Sequence, residues 1–237
     1  MLRSPHVRLV SRSPESPGRR RLVSALGAGA LMALLPDCAT PPAPPRPLDP
    51  ALAPRAGDSW RYGYRSELKK LAPATLDIAV VSVADQGITD RLSLGGAAAS
   101  DYPYTLQYAL VARPVGAGAV YEFSPYLEAY GPVPAGTFNL TMPLADLATP
   151  WGGSAQRVGV EQVSVPAGTF QATRVAIAGW RSFVDGMDNE ITPVHISATA
   201  WFAPAVKRYV RFSFVMQSQR LDYVSRDQTE LLSYRVA

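Results

Sequence analysis

Few side chains in this chain are of the types that catalyse reactions or bind metals. His195 is one of two histidines in 237 residues, and its neighbours alternate between apolar and polar as on a surface strand. A general base is one interpretation of His195, and a solvent-facing strand residue is the simpler one. Residues 185–190 gather oxygen ligands that suit Ca²⁺, but without EF-hand spacing, so an acidic hairpin tip is the simpler interpretation. We expect no catalytic set, no metal site and no cofactor.

The only cysteine, Cys38, follows a segment with the composition of an export signal. Six arginines precede an apolar run at residues 22–35, which is shorter than the roughly 20 residues that a membrane-spanning helix needs. Leu35 lies three residues before Cys38, and this layout resembles bacterial lipoproteins, in which the cysteine sulfur is acylated before the chain is cut ahead of it. Pro36 and Asp37 stand where that pattern has small residues. We predict a signal peptide at residues 1–37 and a lipid such as palmitate on Cys38, with conventional cleavage or an uncleaved anchor as the alternatives.

Two further features of the leader bear on its route and destination. Arg19 and Arg20 resemble the pair of a twin-arginine export signal, with Gly18 where that pattern has Ser or Thr. Ordinary secretion is the alternative. Ala39 follows the cysteine where Asp would favour the inner membrane, so the lipoprotein resemblance implies an outer-membrane anchor facing the periplasm.

The charge of the remaining chain excludes one class of partner. Residues 38–237 carry 17 basic and 17 acidic side chains, so the basic character of the whole sequence comes from the leader. Without a basic field we expect no nucleic-acid binding. Residues 39–57 are proline-rich, and every Trp, Tyr and Phe follows residue 57. These patterns predict a semi-extended linker at residues 38–57 and a single folded domain at residues 58–237.

A hexapeptide, Val-Pro-Ala-Gly-Thr-Phe, occurs at residues 133–138 and 165–170. Its Pro and Gly are typical of turns, so each copy predicts a β-hairpin closed by its own Val and Phe. The first hairpin would pair residues 127–133 with 138–144. In the second, the apolar residues change faces at the same level on both strands. Val160 and Val158 would then face Val175 and Ile177, and Glu161 would face Arg174. A hairpin that bends between two layers of a curved sheet gives this pattern.

Other segments also alternate with period two. Residues 78–84 pair with residues 88–94 around a predicted three-residue loop, Asp85-Gln86-Gly87, with Gly87 in a left-handed conformation. Further strands are predicted at residues 60–64, 194–202, 210–216 and 230–236, and at most one short helical turn at residues 142–147. About ten strands predict an all-β domain with a strongly curved antiparallel sheet, either a half-barrel or sandwich-like.

The order of motifs resembles a group of uncharacterised proteobacterial envelope lipoproteins. The carrying residues are Gly57-Asp58-Ser59-Trp60-Arg61-Tyr62, the second hexapeptide with its flanks, and Trp201-Phe202-Ala203-Pro204. That group is similar to lipoprotein-carrier half-barrels, which implies a concave apolar face and supplies no catalytic residues. Trp60, Tyr62, Tyr64 and Trp201 are candidates to line a groove for a ligand, although such aromatics more often fill a core.

Together these patterns predict a non-catalytic lipoprotein that binds an apolar ligand or an envelope protein. An envelope polysaccharide hydrolase is one alternative and needs two carboxylates across a polar cleft. A purely structural interaction module is the other.

Overall fold

The first strand illustrates why this chain forms sheets. Trp60, Tyr62 and Tyr64 are buried, whereas Arg61 and Arg65 between and beside them are exposed. Such alternation places one face of a strand on a core and the other in water. The computed structural model describes residues 49–67, 72–85, 87–105, 107–115, 118–130, 133–141, 152–184, 191–218 and 225–237.

Within these ranges the chain forms twelve strands and two short 3-10 helices. The strands are β1 (Ser59–Ser66), β2 (Ala74–Ala84), β3 (Gly87–Leu94), β4 (Ser100–Thr105), β5 (Leu110–Val115), β6 (Gly118–Phe123), β7 (Gly136–Asn139), β8 (Gly152–Val165), β9 (Gly168–Val184), β10 (Ile191–Ala203), β11 (Arg208–Ser218) and β12 (Ser225–Arg235). The 3-10 helices are η1 (Leu127–Tyr130) and η2 (Pro204–Val206).

Ten strands form one antiparallel sheet in the order β4-β3-β2-β1-β12-β11-β10-β9-β8-β7, and β5 and β6 form a separate hairpin. Strands that are neighbours in the sheet are also neighbours in sequence, with one exception. The exception is the pairing of β1 with β12, the first and last strands of the described residues. The predicted all-β class with an antiparallel sheet of about ten strands is confirmed.

The sheet curves strongly, as contacts between distant strands require. Strands β3 and β11 are four positions apart, which in a flat sheet would separate them by about 19 Å. Yet Arg208 on β11 and Asp90 on β3 lie 2.6 Å apart, from Nη1 to Oδ2. The turn between β8 and β9 likewise reaches β12, three strands away, where the Ala167 N–H donates to the Leu231 carbonyl at 3.1 Å.

The concave side of this sheet is filled by the chain itself. From the β5–β6 segment, Tyr121 stacks on Phe214 of β11 with ring centroids 3.8 Å apart, and Phe123 packs edge-on against Phe202. Tyr126, just after β6, contacts Trp60 of β1. We call residues 118–130 the plug. Because the plug's aromatic rings occupy the concave side, the core is continuous from sheet to plug.

The second hexapeptide forms the predicted hairpin in a different register. Val165 pairs with Gly168, and Val163 pairs with Phe170, so the predicted pairing of Val165 with Phe170 is wrong by two residues. The turn is a tight one because only Pro166 and Ala167 lie between the strands, and Gly168 takes a φ of +136° that disfavours a side chain.

The predicted change of face occurs on one strand of this hairpin and not on the other. On β9 the buried positions pass from Ala172 to Val175 and Ile177, as expected. On β8, however, Val158 and Val160 are 45% and 58% exposed, because a register shift between Arg157 and Gly159 re-aims the strand.

The predicted ion pair between Glu161 and Arg174 joins residues that are diagonal neighbours on β8 and β9 and not directly opposite each other. Glu161 pairs with Ala172 rather than with Arg174. Arg174 Nη1 nevertheless lies 3.6 Å from Glu161 Oε2, so the ion pair forms.

The first hexapeptide forms no hairpin, which contradicts the prediction. The segment before it is the 3-10 helix η1, and Leu127 and Ala129 of this helix are buried in the core. Strand β7 begins inside the hexapeptide, at Gly136, and pairs instead with β8, with Phe138 opposite Ala155. The predicted partners at residues 142–144, and the helical turn at 142–147, lie outside the described residues.

The loop between β2 and β3 is also tighter than predicted. Ala84 pairs with Gly87, and a register shift between Val80 and Ser82 brings Val80 opposite Asp90. Gly87 is a strand residue and not a left-handed loop residue. A Cβ at Gly87 would lie 2.6 Å from the Tyr104 carbonyl oxygen, so glycine allows β3 and β4 to approach.

Two remaining predictions concern the ends of the domain. The alternation on β10 and β11 is confirmed, with Ile196 opposite Met216 and Ala200 opposite Phe212. The body also includes part of the predicted linker, because the Asp49 N–H donates to the Ala129 carbonyl at 2.9 Å and Pro54 is buried.

Candidate functional site

The Trp201-Phe202-Ala203-Pro204 motif builds the turn that positions the most unusual side chain of the core. Pro204 begins η2, and Lys207 ends it with a left-handed φ of +59°. The next residue, Arg208, then enters β11 with its side chain entirely inside the protein. A buried guanidinium needs several hydrogen-bond acceptors, and these determine the site.

Two carboxylates from different elements meet Arg208. Its Nη1 donates to Asp90 Oδ2 of β3 at 2.6 Å, and its Nη2 donates to Glu122 Oε1 of β6 in the plug. All three side chains are 0% exposed. The pairs therefore join the sheet to the plug through buried charge.

Tyrosines complete the hydrogen bonding of both carboxylates. The Tyr126 hydroxyl accepts from Arg208 Nη1 at 2.8 Å and donates to Asp90 Oδ1. The Tyr209 hydroxyl donates to Glu122 Oε1 at 2.8 Å, and the Tyr104 hydroxyl donates to Glu122 Oε2. We call these six residues the buried network: Asp90, Tyr104, Glu122, Tyr126, Arg208 and Tyr209.

The network holds two carboxyl groups for one guanidinium, and its burial changes the pKa of Asp90. Desolvation, opposed by Arg208 and Tyr126 and reinforced by Glu122, raises the pKa of Asp90 to about 6. Burial also raises the pKa of Tyr104, Tyr126 and Tyr209, so their hydroxyls remain donors. Near pH 6 Asp90 can therefore pass between its neutral and its charged form.

This arrangement does not provide the polar cleft that a glycoside hydrolase needs. Asp90 and Glu122 share Arg208 as a partner and are sealed from solvent, so no substrate can lie between them. The cavity that borders Arg208, between Leu52 and Phe202, is about 10 Å³, roughly the space of one water. In the described residues, the network is a structural junction.

The predicted aromatic candidates do not line a common groove. Trp60, Tyr62 and Tyr64 are core residues, with the Trp60 Nε1–H donating to the Val206 carbonyl at 2.9 Å and the Tyr62 hydroxyl to the Tyr209 carbonyl at 2.8 Å. Trp201 is half-buried elsewhere, and its Nε1–H donates to exposed Glu161 at 2.6 Å. His195 is exposed, as predicted.

The leader candidates Cys38, Arg19 and Arg20 lie outside the described residues, as does the acidic segment 185–190. Within the described ranges, no group of three His, Cys, Asp or Glu side chains could hold a metal ion. The same ranges contain no helix long and apolar enough to cross a membrane.

The residues of the buried network were not among the predicted site residues, although the sequence contains a signal for two of them. Asp90 is spaced two residues from the apolar Ile88 and from Leu92, so its carboxylate falls on the same buried face of β3 as their side chains. Arg208 likewise precedes Val210 and Phe212 at the same spacing. A charged residue in an apolar register indicates a buried partner of opposite charge.

A cavity of about 590 Å³ lies on the solvent side of strands β12, β1, β2 and β3. Its floor consists of small residues, including Ser59, Ala79 and Ser93, and Arg61, Asp77, Arg91 and Arg235 also line it. Arg61 and Asp77 form an ion pair of 2.7 Å across it. The groove is open to solvent and carries these four charged side chains.

No protein-family model and no curated protein sequence matches this chain. Among solved structures, it is similar to a candidate lipoprotein from Parabacteroides distasonis, with 12% identity and a TM-score of 0.44. It is also similar to a candidate exported protein with a YmcC-like fold from Bacteroides fragilis, with 13% identity and a TM-score of 0.42. Each similarity covers 80% of this chain and 99% of the other.

Proposed function

We propose that this chain is a lipid-anchored protein of the bacterial envelope, held at the outer membrane, whose β domain binds an envelope protein and catalyses no reaction. The observation that carries the proposal is the filled concave side. The plug occupies the place of an apolar ligand, and the buried carboxylates are committed to Arg208. Partner binding is then left to the solvent faces.

The anchor rests on the leader and on the start of the domain. Cys38 follows the apolar run after Leu35, and Asp49 is the first described residue, already hydrogen-bonded to the body. Ten residues separate the two, and their full extension is about 35–40 Å. A lipid on Cys38 would thus keep the domain close to the membrane surface.

Substitutions around Cys38 test the anchor directly. Cys38→Ser should abolish labelling by a palmitate analogue and move the protein from the membrane to the soluble periplasmic fraction. Ala39→Ser is the matched control and should change neither. Ala39→Asp should keep the label and move the protein to the inner membrane. Unchanged fractionation of Cys38→Ser would overturn the lipid anchor.

The partner surface is expected at the charged 590 Å³ groove, since complementary charges guide protein association. A photo-crosslinking amino acid at Ala79, inside the groove, should give a defined adduct in intact cells. The same substitution at Ser197, on the solvent side of β10, is the control and should give none. Equal adducts at both positions, or none at Ala79, would contradict this surface.

One observation favours a second candidate, a carrier of an apolar ligand. Two carboxyl groups face one guanidinium where the plug meets the sheet, and Asp90 gains a negative charge there as the pH rises through about 6. Release of the plug would expose the aromatic concave face. A dansylated fatty acid should then bind at pH 8 and not at pH 5, and Asp90→Asn should abolish the difference. Absence of saturable binding at both pH values would reject the ligand carrier and leave the protein-binding module as the proposed function.

A further inference from the structure

A second cavity, of about 180 Å³, lies between the end of β4 and the start of β5. Its polar lining includes Thr105, Gln107, Ser124 and Thr141, and its cationic side chain is Arg113. It differs from the groove on the solvent side of β1, where Arg61 faces Asp77. No carboxylate forms an ion pair with Arg113 among the described residues.

The guanidinium of Arg113 is held in place by aromatic rings. Its Cζ lies 4.3 Å from the ring centroid of Tyr104 and 5.6 Å from that of Tyr102. These contacts are cation–π interactions, which orient the group without using its N–H donors. Arg113 is therefore preorganised at the cavity wall.

Most of the donors of Arg113 are unused. Its single hydrogen bond in the described structure is a long one of 3.4 Å, from Nη2 to the Pro103 carbonyl. Its Nε–H is buried and has no acceptor. A buried donor without an acceptor is costly, and the planar guanidinium presents its N–H donors as a fork that fits a carboxylate.

The size of the cavity limits the ligand. Its volume of about 180 Å³ is below the roughly 300–1,000 Å³ of pockets for drug-sized ligands, so it is too small for an acyl chain or an oligosaccharide. The Thr141 hydroxyl and the Gln107 amide can bind a second polar group beside the carboxylate. We propose that this cavity is a binding site for a small hydroxy- or amino-monocarboxylate, with Arg113 as its carboxylate anchor.

The experiment uses the full chain carrying Cys38→Ser and L-lactate as the probe, with binding followed by calorimetry and by the shift of the unfolding midpoint. Lactate should bind saturably and raise the midpoint, whereas equal concentrations of chloride should not. Phosphate is the second probe, because it tells a site for carboxylates from a site for any anion. A phosphate affinity equal to that of lactate would overturn the carboxylate assignment.

Variants locate the binding. Arg113→Lys keeps the charge and loses the planar fork, so lactate affinity should fall at least about tenfold while the protein stays folded. Arg61→Gln is the matched control on the other face and should leave affinity unchanged. Thr141→Val, which removes a lining hydroxyl, should weaken binding about threefold to tenfold. Lactate binding that is absent in the parent protein, or that is unaffected by Arg113→Lys, would overturn the site. Neither result depends on the anchor or the protein partner.

Discussion

Two neighbouring residues of β3 enter the same kind of ion pair in opposite environments. Asp90 points inward and meets Arg208 at 2.6 Å, with both side chains 0% exposed. Arg91 points outward and meets Asp101 at 2.7 Å, with side chains 55% and 44% exposed. The distances are nearly equal. What differs is desolvation, which makes the inner pair costly to form and costlier to break.

The pKa values express the same contrast. Burial raises the pKa of Asp90, whereas a hydrogen bond from Arg91 lowers the pKa of Asp101. Water screens the outer pair, so it contributes little to the free energy of unfolding. The inner pair acts as one unit with Glu122 and three tyrosines.

Arg208→Met should have the largest effect. The substitution leaves Asp90 and Glu122 buried without their cation, so we expect a loss of about 3–5 kcal/mol in the free energy of unfolding at pH 7. Urea denaturation measures it. Arg91→Met is the control and should shift the midpoint only slightly, because its ion pair is exposed. Equal losses in the two variants would show that burial does not separate the two pairs.

The pH dependence of stability should be the next largest effect. The pKa of Asp90 is higher in the folded state than the unfolded value of 3.8, so protonation stabilises the fold below that value. This stabilisation is lost as the pH rises through about 6. Relative to Asp90→Asn, the wild type should lose about 3 kcal/mol between pH 4 and pH 7. A constant difference between the two proteins over this range would contradict the raised pKa.

Tyr126→Phe should have a smaller effect on the same pair. It removes one hydrogen bond to Asp90 and one from Arg208, with an expected cost of about 1–2 kcal/mol. Because Tyr126 favours the charged form of Asp90, its loss should also move the stability transition above pH 6. Tyr234→Phe, at an exposed tyrosine of β12, serves as the control and should leave that transition in place. A transition that moves below pH 6 would be inconsistent with this role.

Asp101→Asn should have the smallest effect on stability, and the pH dependence of this effect should be opposite to that of Asp90. The pKa of Asp101 is lowered in the folded state, so its contribution is present above the unfolded pKa and is lost as the pH falls through the folded one. Raising the salt concentration should abolish the difference between wild type and variant. Thermal unfolding at pH 3 and pH 7, in low and high salt, measures it. A salt-insensitive difference would indicate that Asp101 is not solvent-screened.

The sequence could predict the all-β class and several strand faces because both follow from local alternation. Trp60, Tyr62 and Tyr64 were predictable as one face of a strand, and Ile196 and Phe212 as members of another. The two identical hexapeptides were not separable in this way. The copy at residues 165–170 joins two long strands, whereas the copy at 133–138 follows a buried 3-10 helix. The packing of the flanking segments, and not the hexapeptide itself, decides whether a copy forms a hairpin turn or leads into a single strand.

What the sequence determined by itself was therefore the periodic part of the protein, the neutral charge of residues 38–237 and the prediction of an anchor at Cys38. What only the tertiary structure decided was that the plug fills the concave side, and that Asp90, Glu122 and Arg208 share one buried junction. These residues are 32 and 86 positions apart along the chain. Their meeting depends on how far a ten-stranded sheet curves, and curvature accumulates from twist, bulges and packing over all its strands.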